Sequence, residues 1–168
     1  MSRVHSFAPV ADKKARALIL GSMPGEASLK AGQYYAHPRN AFWSIVCRVL
    51  GARGELSYEA RLRLLKAHGL ALWDVLGSCV RPGSSDSAIQ KSSIRVNEFA
   101  AFFRAHPGIR YVFFNGAKAE ECYRKYALPA LPAGCAALEY RRLPSTSPAH
   151  AALSPAQKYK LWKTIIIP

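Results

Sequence analysis

Short apolar runs of strand length alternate along this chain with segments of helical period, and that alternation narrows the folds open to it more than any other feature. Residues 17–20, Ala-Leu-Ile-Leu, read as a first strand. The spacing of Phe42, Trp43, Ile45, Val46, Val49 and Leu50 predicts a helix that starts just after Asn40, a good capping residue. A second helix over 58–66 follows Ser57, and residues 70–73 form a second strand that ends at Asp74. The stretch 77–93, rich in Gly, Ser and Pro, reads as a loop. Residues 97–105 predict a short helix closed by His106-Pro107-Gly108, and residues 111–114 a strand broken at Asn115-Gly116. A helical segment (117–126), a proline-rich connector (128–137) and a last short strand (138–143) follow. Ser154-Pro155-Ala156-Gln157 is a capping box with proline at the first helical position, opening a terminal helix to about Ile165. Alternating strand and helix predicts a parallel sheet covered on both faces.

At 168 residues the chain is long enough to bury a substantial core without disulfides or metal staples, and it reads as one domain over 1–168. Half of its residues are hydrophobic and its mean hydropathy is −0.04, values of a globular protein. No run approaches the roughly 18 apolar residues that span a bilayer, so no membrane partner is expected. The first residues, MSRVHSFAPVADKK, carry no apolar core of a secretory signal, and a cytoplasmic setting is expected. Cys47, Cys79, Cys122 and Cys135 form no C-x-x-C pair and have no histidine at ligand spacing, so free thiols are expected and a zinc or iron–sulfur site is not. Against 10 acidic residues stand 24 Lys and Arg, for a net charge of +14. A charge of that size favours a polyanionic partner, and its dispersal over residues such as Arg39, Arg61, Arg81, Lys118 and Arg142 favours a folded surface lying along phosphates over a basic tail.

Residues 21–25, Asp74, Asn115-Gly116 and residues 143–149 all fall at strand C-termini, the edge on which open α/β sheets place their ligands. The densest of these regions is 21–43, where Gly-Ser-Met-Pro-Gly is followed by Tyr34, Tyr35, His37-Pro38 and Asn40. Aromatic faces, an amide and exposed backbone amides suit a planar ring held beside a phosphate. Ser145, Thr146 and Ser147 sit in a proline-stiffened turn whose hydroxyls suit a phosphate acceptor, or form an ordinary Ser/Pro turn.

In their order and spacing these motifs resemble the uracil-DNA glycosylase superfamily over residues 17 to about 150. The 21–25 turn is similar to its first motif and 143–149 to its second, DNA-clamping motif. Residues 34–43, Tyr-Tyr-Ala-His-Pro-Arg-Asn-Ala-Phe-Trp, resemble the F-A-H-P-x-N-x-F-W stretch of mismatch-specific members, with Tyr35 at the stacking aromatic. Leu72-Trp73-Asp74-Val75-Leu76 and Val80-Arg81-Pro82-Gly83 resemble the base-reading strand and its loop. Two departures stand out: Met23 occupies the place of the turn's Asn or Asp, and Leu143 that of a histidine. Both departures are similar to the hypoxanthine-DNA (deoxyinosine) glycosylases, in which the resemblance assigns catalytic importance to the asparagine that is Asn40 here.

The resemblance implies a three-layer αβα domain with a central, mainly parallel four-stranded sheet. It implies a monomeric, monofunctional glycosylase that needs no metal or cofactor and acts on DNA containing deaminated bases, hypoxanthine first and uracil as a second substrate. Asn40 is the expected catalytic residue, orienting a water, although a helix cap explains it too. Ser22, Met23, Gly25, Tyr35, Asp74 and Asn115 are the expected base-binding residues, with Met23 as pocket wall and Asp74 reading a ring N–H unless it only caps a loop. Tyr35 is the expected stacking face, with a core role as the rival reading. Asn115 completes the readout or holds neighbouring backbone. Ser145, Thr146, Ser147, His150 and Arg81 are the expected DNA contacts, and His150 and Pro148 the candidates for the side chain that wedges into the vacated stack. Met23 and Leu143 also fit a catalytically silent sensor of damaged DNA. A nucleotide hydrolase is a weaker reading, since no G-x-x-x-x-G-K-[ST] loop or acidic metal cluster is present in the sequence.

Overall fold

The run at 17–20 becomes a strand because both of its faces are covered: Ala17, Leu18, Ile19 and Leu20 are wholly inaccessible to solvent. The computed structural model describes residues 2–135 and 137–167; Ala136, inside the expected connector, lies outside them. In chain order the strands are β1 (Arg3–His5), β2 (Ala17–Gly21), β3 (Leu70–Asp74), β4 (Leu76–Val80), β5 (Arg95–Val96), β6 (Tyr111–Asn115) and β7 (Glu139–Leu143). The helices are α1 (Glu26–Ala31), α2 (Phe42–Val49), α3 (Tyr58–Ala67), α4 (Phe99–Ala105), α5 (Ala117–Cys122) and α6 (Pro155–Trp162).

Strands β3, β2, β6 and β7 pair in that order into a wholly parallel four-stranded sheet. Alternate residues serve opposite faces. Leu18, Leu20, Trp73, Val112 and Phe114 pack against Phe99, Phe102 and Cys122 of α4 and α5. Ala17, Ile19, Leu72 and Phe113 pack against Phe42 and Ile45 of α2, Leu65 of α3 and Trp162 of α6. Helices therefore cover both faces, and the expected αβα architecture is what forms. The chain leaves β2 for β3 on one side and later returns to its other side as β6, so the switch point lies between β2 and β6. Registers Gly21↔Asp74, Leu20↔Phe114 and Asn115↔Leu143 bring all four C-terminal ends level.

The stretch 77–93 is not simply a loop. Its first residues belong to β4, which pairs antiparallel with β1 and β5 in a separate three-stranded sheet. The partners are 70 residues or more away on one side (Val4↔Cys79), so the local Gly-Ser composition concealed a strand that tertiary pairing creates. Gly77 is there for close approach: a Cβ on it would meet Asn97 Oδ1 at 2.8 Å. The remainder forms short 3₁₀ turns at Asp86–Ala88 and Lys91–Ser93. The expected helix over 117–126 continues past α5 only as a wider π-type segment, Tyr123–Ala127.

Helix termini follow the sequence signals closely. Ser57 accepts the Ala60 N–H at the start of α3, and Ser154 and Gln157 make both bonds of the capping box that opens α6. Trp162, fully buried in α6, meets Phe42 edge-on at 5.8 Å and donates its indole N–H to Pro144 O at 2.9 Å. It thereby fastens the last helix to both α2 and the loop after β7. Trp162→Ala is expected to lower unfolding free energy by about 3–5 kcal/mol, read from urea denaturation, because it leaves a cavity and an unpaired carbonyl.

Candidate active site

The level strand ends open onto a cavity of about 620 Å³. Gly21 to Gly25 line it from β2, Asp74 from β3, Asn115 and Gly116 from β6, and Ser145 to His150 from the loop after β7. Tyr35, His37 and Asn40 close one side, and Ser84 to Ser87 another. The cavity thus collects Asn40, Ser22, Met23, Gly25, Tyr35, Asp74, Asn115, Ser145, Thr146, Ser147 and His150. Among the residues singled out in the sequence, Arg81 does not line it.

Tyr35 has φ = 53°, and among the described residues no other non-glycine has a positive φ. Such a conformation costs about 1–3 kcal/mol and persists only where its surroundings impose it. Here they do. The Tyr34 N–H donates to Tyr58 Oη at 3.1 Å, Trp43 Nε1 donates to Tyr34 O at 2.7 Å, and the Ala36 N–H donates to Ser28 Oγ at 3.1 Å. Tyr34 Oη itself donates to Ala8 O at 2.8 Å. Held on both sides, Tyr35 lays one ring face on Phe42 at 4.0 Å and 21°. Its ring remains partly accessible while its hydroxyl is sealed and without a hydrogen-bond partner. Burial, with the Asp74 carboxyl nearby, raises the phenol's pKa far above its ordinary value.

The Asp74 carboxyl is 4 % exposed and its Oδ2 has no partner. Desolvation first, and the Asp86 carboxylate second, push its pKa up to about 7 against the opposing pull of Arg81. Near neutrality it therefore exists in both forms, and the neutral form can donate a hydrogen bond as well as accept one. Asn97 steadies the end of the strand from outside the cavity, donating through Nδ2 to Asp74 O at 2.8 Å and through its backbone to Val75 O at 3.0 Å.

Asn40 faces the cavity, one residue before Ala41, which takes the capping position expected of it. Its Oδ1 accepts the Phe42 N–H at 3.0 Å, which fixes the amide plane, and its Nδ2 has no partner among the described residues. Asn115 is committed differently: Oδ1 accepts the Thr146 N–H and Nδ2 donates to Thr146 Oγ1, both at 2.9 Å. It holds the neighbouring backbone, the second of its two expected parts. Thr146 Oγ1 accepts in that clasp, and it is burial, at 1 % exposure, that keeps this side chain from the surface. Ser145 and Ser147 stay partly accessible at the cavity. Their oxygens accept the Ser147 and Ala149 N–H groups at 3.2 Å, which leaves each O–H proton free to donate outward. His150 lines the cavity, and its carbonyl is held by Lys158 Nζ at 2.7 Å.

Arg81 lies inside the protein, 4 % exposed. It donates to Gly83 O at 2.8 Å and to Pro24 O at 2.6 Å, so its part is to hold the 21–25 turn against the loop after β4 and not to meet the DNA backbone. Sequence reasoning missed Asp86, whose carboxylate accepts from Ser22 Oγ at 2.8 Å, and Ser84, whose Oγ accepts the Glu26 N–H at 2.7 Å. Both sat in a stretch read as plain loop, and only their closeness in the chain to Arg81 hinted at a site. Lys118, at the start of α5, also reaches the cavity and lies 3.4 Å from Glu121. No three His, Cys, Asp or Glu side chains converge to hold a metal among the described residues. No helix there is long and apolar enough to cross a membrane, and all four cysteines are free thiols.

Comparison with known proteins agrees with this fold. Two hypoxanthine DNA glycosylases, from Methanosarcina barkeri (strain Fusaro) and Methanosarcina acetivorans, are each 38 % identical to the chain over 118 residues, 70 % of it and 73 % of each relative. The solution NMR structure of a candidate uracil DNA glycosylase from Methanosarcina acetivorans matches with a TM-score of 0.78 at 31 % identity, covering 98 % of this chain and 99 % of that one. The family model described as the uracil DNA glycosylase superfamily matches residues 8–166. With the parallel sheet, the cavity at its switch point and a match that spans nearly all of the sequence, the chain belongs to the uracil DNA glycosylase superfamily, and it is a DNA glycosylase.

Proposed function

We propose that this chain is a monofunctional glycosylase that excises hypoxanthine from DNA, with uracil as a second substrate, by flipping the nucleotide and hydrolysing its N-glycosidic bond. One observation carries the reading: the ring of Tyr35, backed by Phe42, presents its remaining face to a cavity floored by a carboxyl that is neutral part of the time. A flipped base laid on that face recovers about 1–3 kcal/mol, comparable to the cost of leaving the stack, which is lowest for mismatched and damaged pairs. The relatives named as hypoxanthine DNA glycosylases favour a deaminated purine. A cavity of about 620 Å³ is ample for one.

In this reading Asp74 meets the base edge. As a neutral carboxyl it donates to a carbonyl or accepts a ring N–H, and it does not repel the charge that grows on a departing base. Asn40, its Oδ1 already aligned by the Phe42 N–H, accepts from a water with its second lone pair and orients that water without acting as a base. Ser145 and Ser147 donate to the flanking phosphates. Met23, 7 % exposed, serves as cavity wall. The chain acts in this reading as a monomer and as one domain over 1–168, and four free thiols suit the reducing cytoplasm.

The direct test is base release from duplexes carrying a single deoxyinosine, deoxyuridine or deoxyxanthosine, each followed by alkali to cut abasic sites. Deoxyinosine is expected to react fastest, and binding without any abasic product would favour the silent sensor instead. Asn40→Ala is expected to lower the single-turnover rate by about 100-fold with little change in duplex affinity. Full activity in that variant would remove Asn40 from the chemistry.

The Asp74 pKa makes a second, structural prediction. Its folded value of about 7 lies above the ordinary 3.8, so between them the folded chain holds a proton that the unfolded chain releases. The contribution of this group is fully present below the unfolded value and is lost as pH rises through the folded one. From about pH 5 to about pH 8, wild type is expected to lose roughly 2 kcal/mol of unfolding free energy relative to Asp74→Asn, measured by urea denaturation at both pH values.

A further inference from the structure

Two carboxylates converge on one side of the cavity, and the excision reading uses only Asp74. Asp86, on the 3₁₀ turn Asp86–Ala88 beyond β4, also lines the cavity and stays partly accessible. Its Oδ2 accepts from Ser22 Oγ at 2.8 Å, so the carboxylate is tied to the residue that precedes Met23 in the turn. Its other oxygen has no hydrogen-bond partner among the described residues. The loop that carries it is fixed to the same turn by Arg81, through Pro24 O and Gly83 O, and by Ser84, through the Glu26 N–H. Such anchoring is more than a solvated surface aspartate needs.

Cleavage of an N-glycosidic bond puts positive charge on the sugar, and preorganised negative charge at that point lowers the barrier. Met23 is inert and Asn40 is neutral, so neither supplies it. We propose that Asp86 is a further catalytic residue, whose carboxylate, aimed into the cavity beside the 21–25 turn, provides the negative charge and the proton acceptor that those two side chains lack. The proposal rests on the excision reading above. The C1′–N bond breaks with its electron pair passing to the base, and the electron-poor C1′ takes the oxygen of the water that Asn40 orients. One proton of that water passes through water in the cavity to the free oxygen of Asp86 and then to bulk solvent, while the base nitrogen takes up one proton from solvent. One water is consumed, and the products are the free base and an abasic sugar.

The surroundings divide the two carboxyls between the two parts. Facing Asp86 are Ser22 from the turn after β2, Asp74 from β3, Arg81 from the segment after β4 and Lys118 from α5. Burial raises its pKa, while the Ser22 hydroxyl, the Arg81 guanidinium and the Lys118 ammonium oppose the rise. Asp74 lacks a hydroxyl donor and is the more enclosed, which favours the proton on Asp74 and the charge on Asp86. Environments that push a carboxyl pair apart in this way are how one site holds an acid and a base together.

The test separates charge from shape. Asp86→Asn keeps an oxygen to accept from Ser22 and removes the charge; Ser22→Ala removes the bond and keeps the charge; Asp86→Glu keeps the charge on a longer arm. Single-turnover base release is measured on the deoxyinosine duplex from about pH 5 to about pH 9, alongside affinity for a duplex carrying its non-hydrolysable 2′-fluoro analogue. Asp86→Asn is expected to lose about 100-fold or more in rate and the acidic limb of the pH profile, with affinity within about threefold of wild type. Asp86→Glu is expected to retain at least about tenfold more rate than Asp86→Asn, and Ser22→Ala to lose less than about tenfold. An Asp86→Asn rate within about threefold of wild type, or equal losses in Asp86→Asn and Ser22→Ala with the acidic limb intact, overturns the assignment and leaves Asp86 as a loop anchor. If wild type releases base from none of the three lesion duplexes, the excision reading falls and this assignment with it; normal release with an unaffected Asp86→Asn removes Asp86 alone.

Discussion

The bare Cα of Gly21 is the constraint on which the site depends. A Cβ there would lie 2.5 Å from Asp74 Oδ1 and 2.7 Å from Tyr35 Oη, distances that real side chains do not tolerate. Two polar atoms from separate elements therefore converge on the end of β2 only because that strand ends in glycine. The parallel register pairs Gly21 with Asp74, and the tethered loop at 34–36 brings the phenol to the same point. Neither hydroxyl nor carboxyl finds a full set of partners there. In a protein interior that is costly, and such cost persists at functional sites.

Rigidity spreads from this point through a few bonds that join neighbouring strand ends. The Asn115–Thr146 clasp closes β6 on the loop after β7, and Thr146 O accepts the Ala41 N–H at 3.0 Å, so the same loop is sewn to the start of α2. Asn40 and the Ser145–Ser147 turn consequently share one support. Trp162 reaches that loop from behind through Pro144 O. A base and its flanking phosphates would meet parts whose spacing is set before binding, the condition under which fixed dipoles and charges act at full strength.

Much of this was legible in the sequence because the information is local. Period, capping residues and strand-ending Asp74 or Asn115-Gly116 announce the parallel sheet, and a parallel sheet by itself gathers its C-terminal ends. What the residues could not announce is pairing over long range. β4 is a strand because β1 covers it, and the Gly-Ser composition of 77–93 pointed the other way. The same misreading hid Asp86 and Ser84, whose work depends on the loop folding back over the 21–25 turn. Arg81 shows the limit of charge as a guide. A guanidinium in a chain of net charge +14 invites a phosphate partner, yet this one satisfies two backbone carbonyls beneath the surface. Thr146 shows the same limit for hydroxyls: only the fold reveals that Asn115 has claimed it.

The distribution of the few acidic residues completes the physical picture. Ion pairs among the described residues fall on Glu120 and Glu121, with Lys118, Arg124 and Arg142 as partners, while Asp74 and Asp86 stand in the cavity wall. A basic exterior attracts the DNA backbone over a range set by the Debye length, and it does so without regard to sequence. The cavity wall holds Asp74 and Asp86, with Lys118 also among its lining residues. A phosphate drawn inward from the rim meets the Asp86 carboxylate in the wall, whereas a neutral ring extruded from the duplex meets no such repulsion. On the proposed reading, one nucleotide is thereby sorted into its parts, with the charged backbone at Ser145 and Ser147 and the base alone in the cavity. On the proposed reading, the charge that Asp86 places in the cavity wall acts where the sugar becomes positive, and there it favours bond cleavage over tighter binding of the intact substrate.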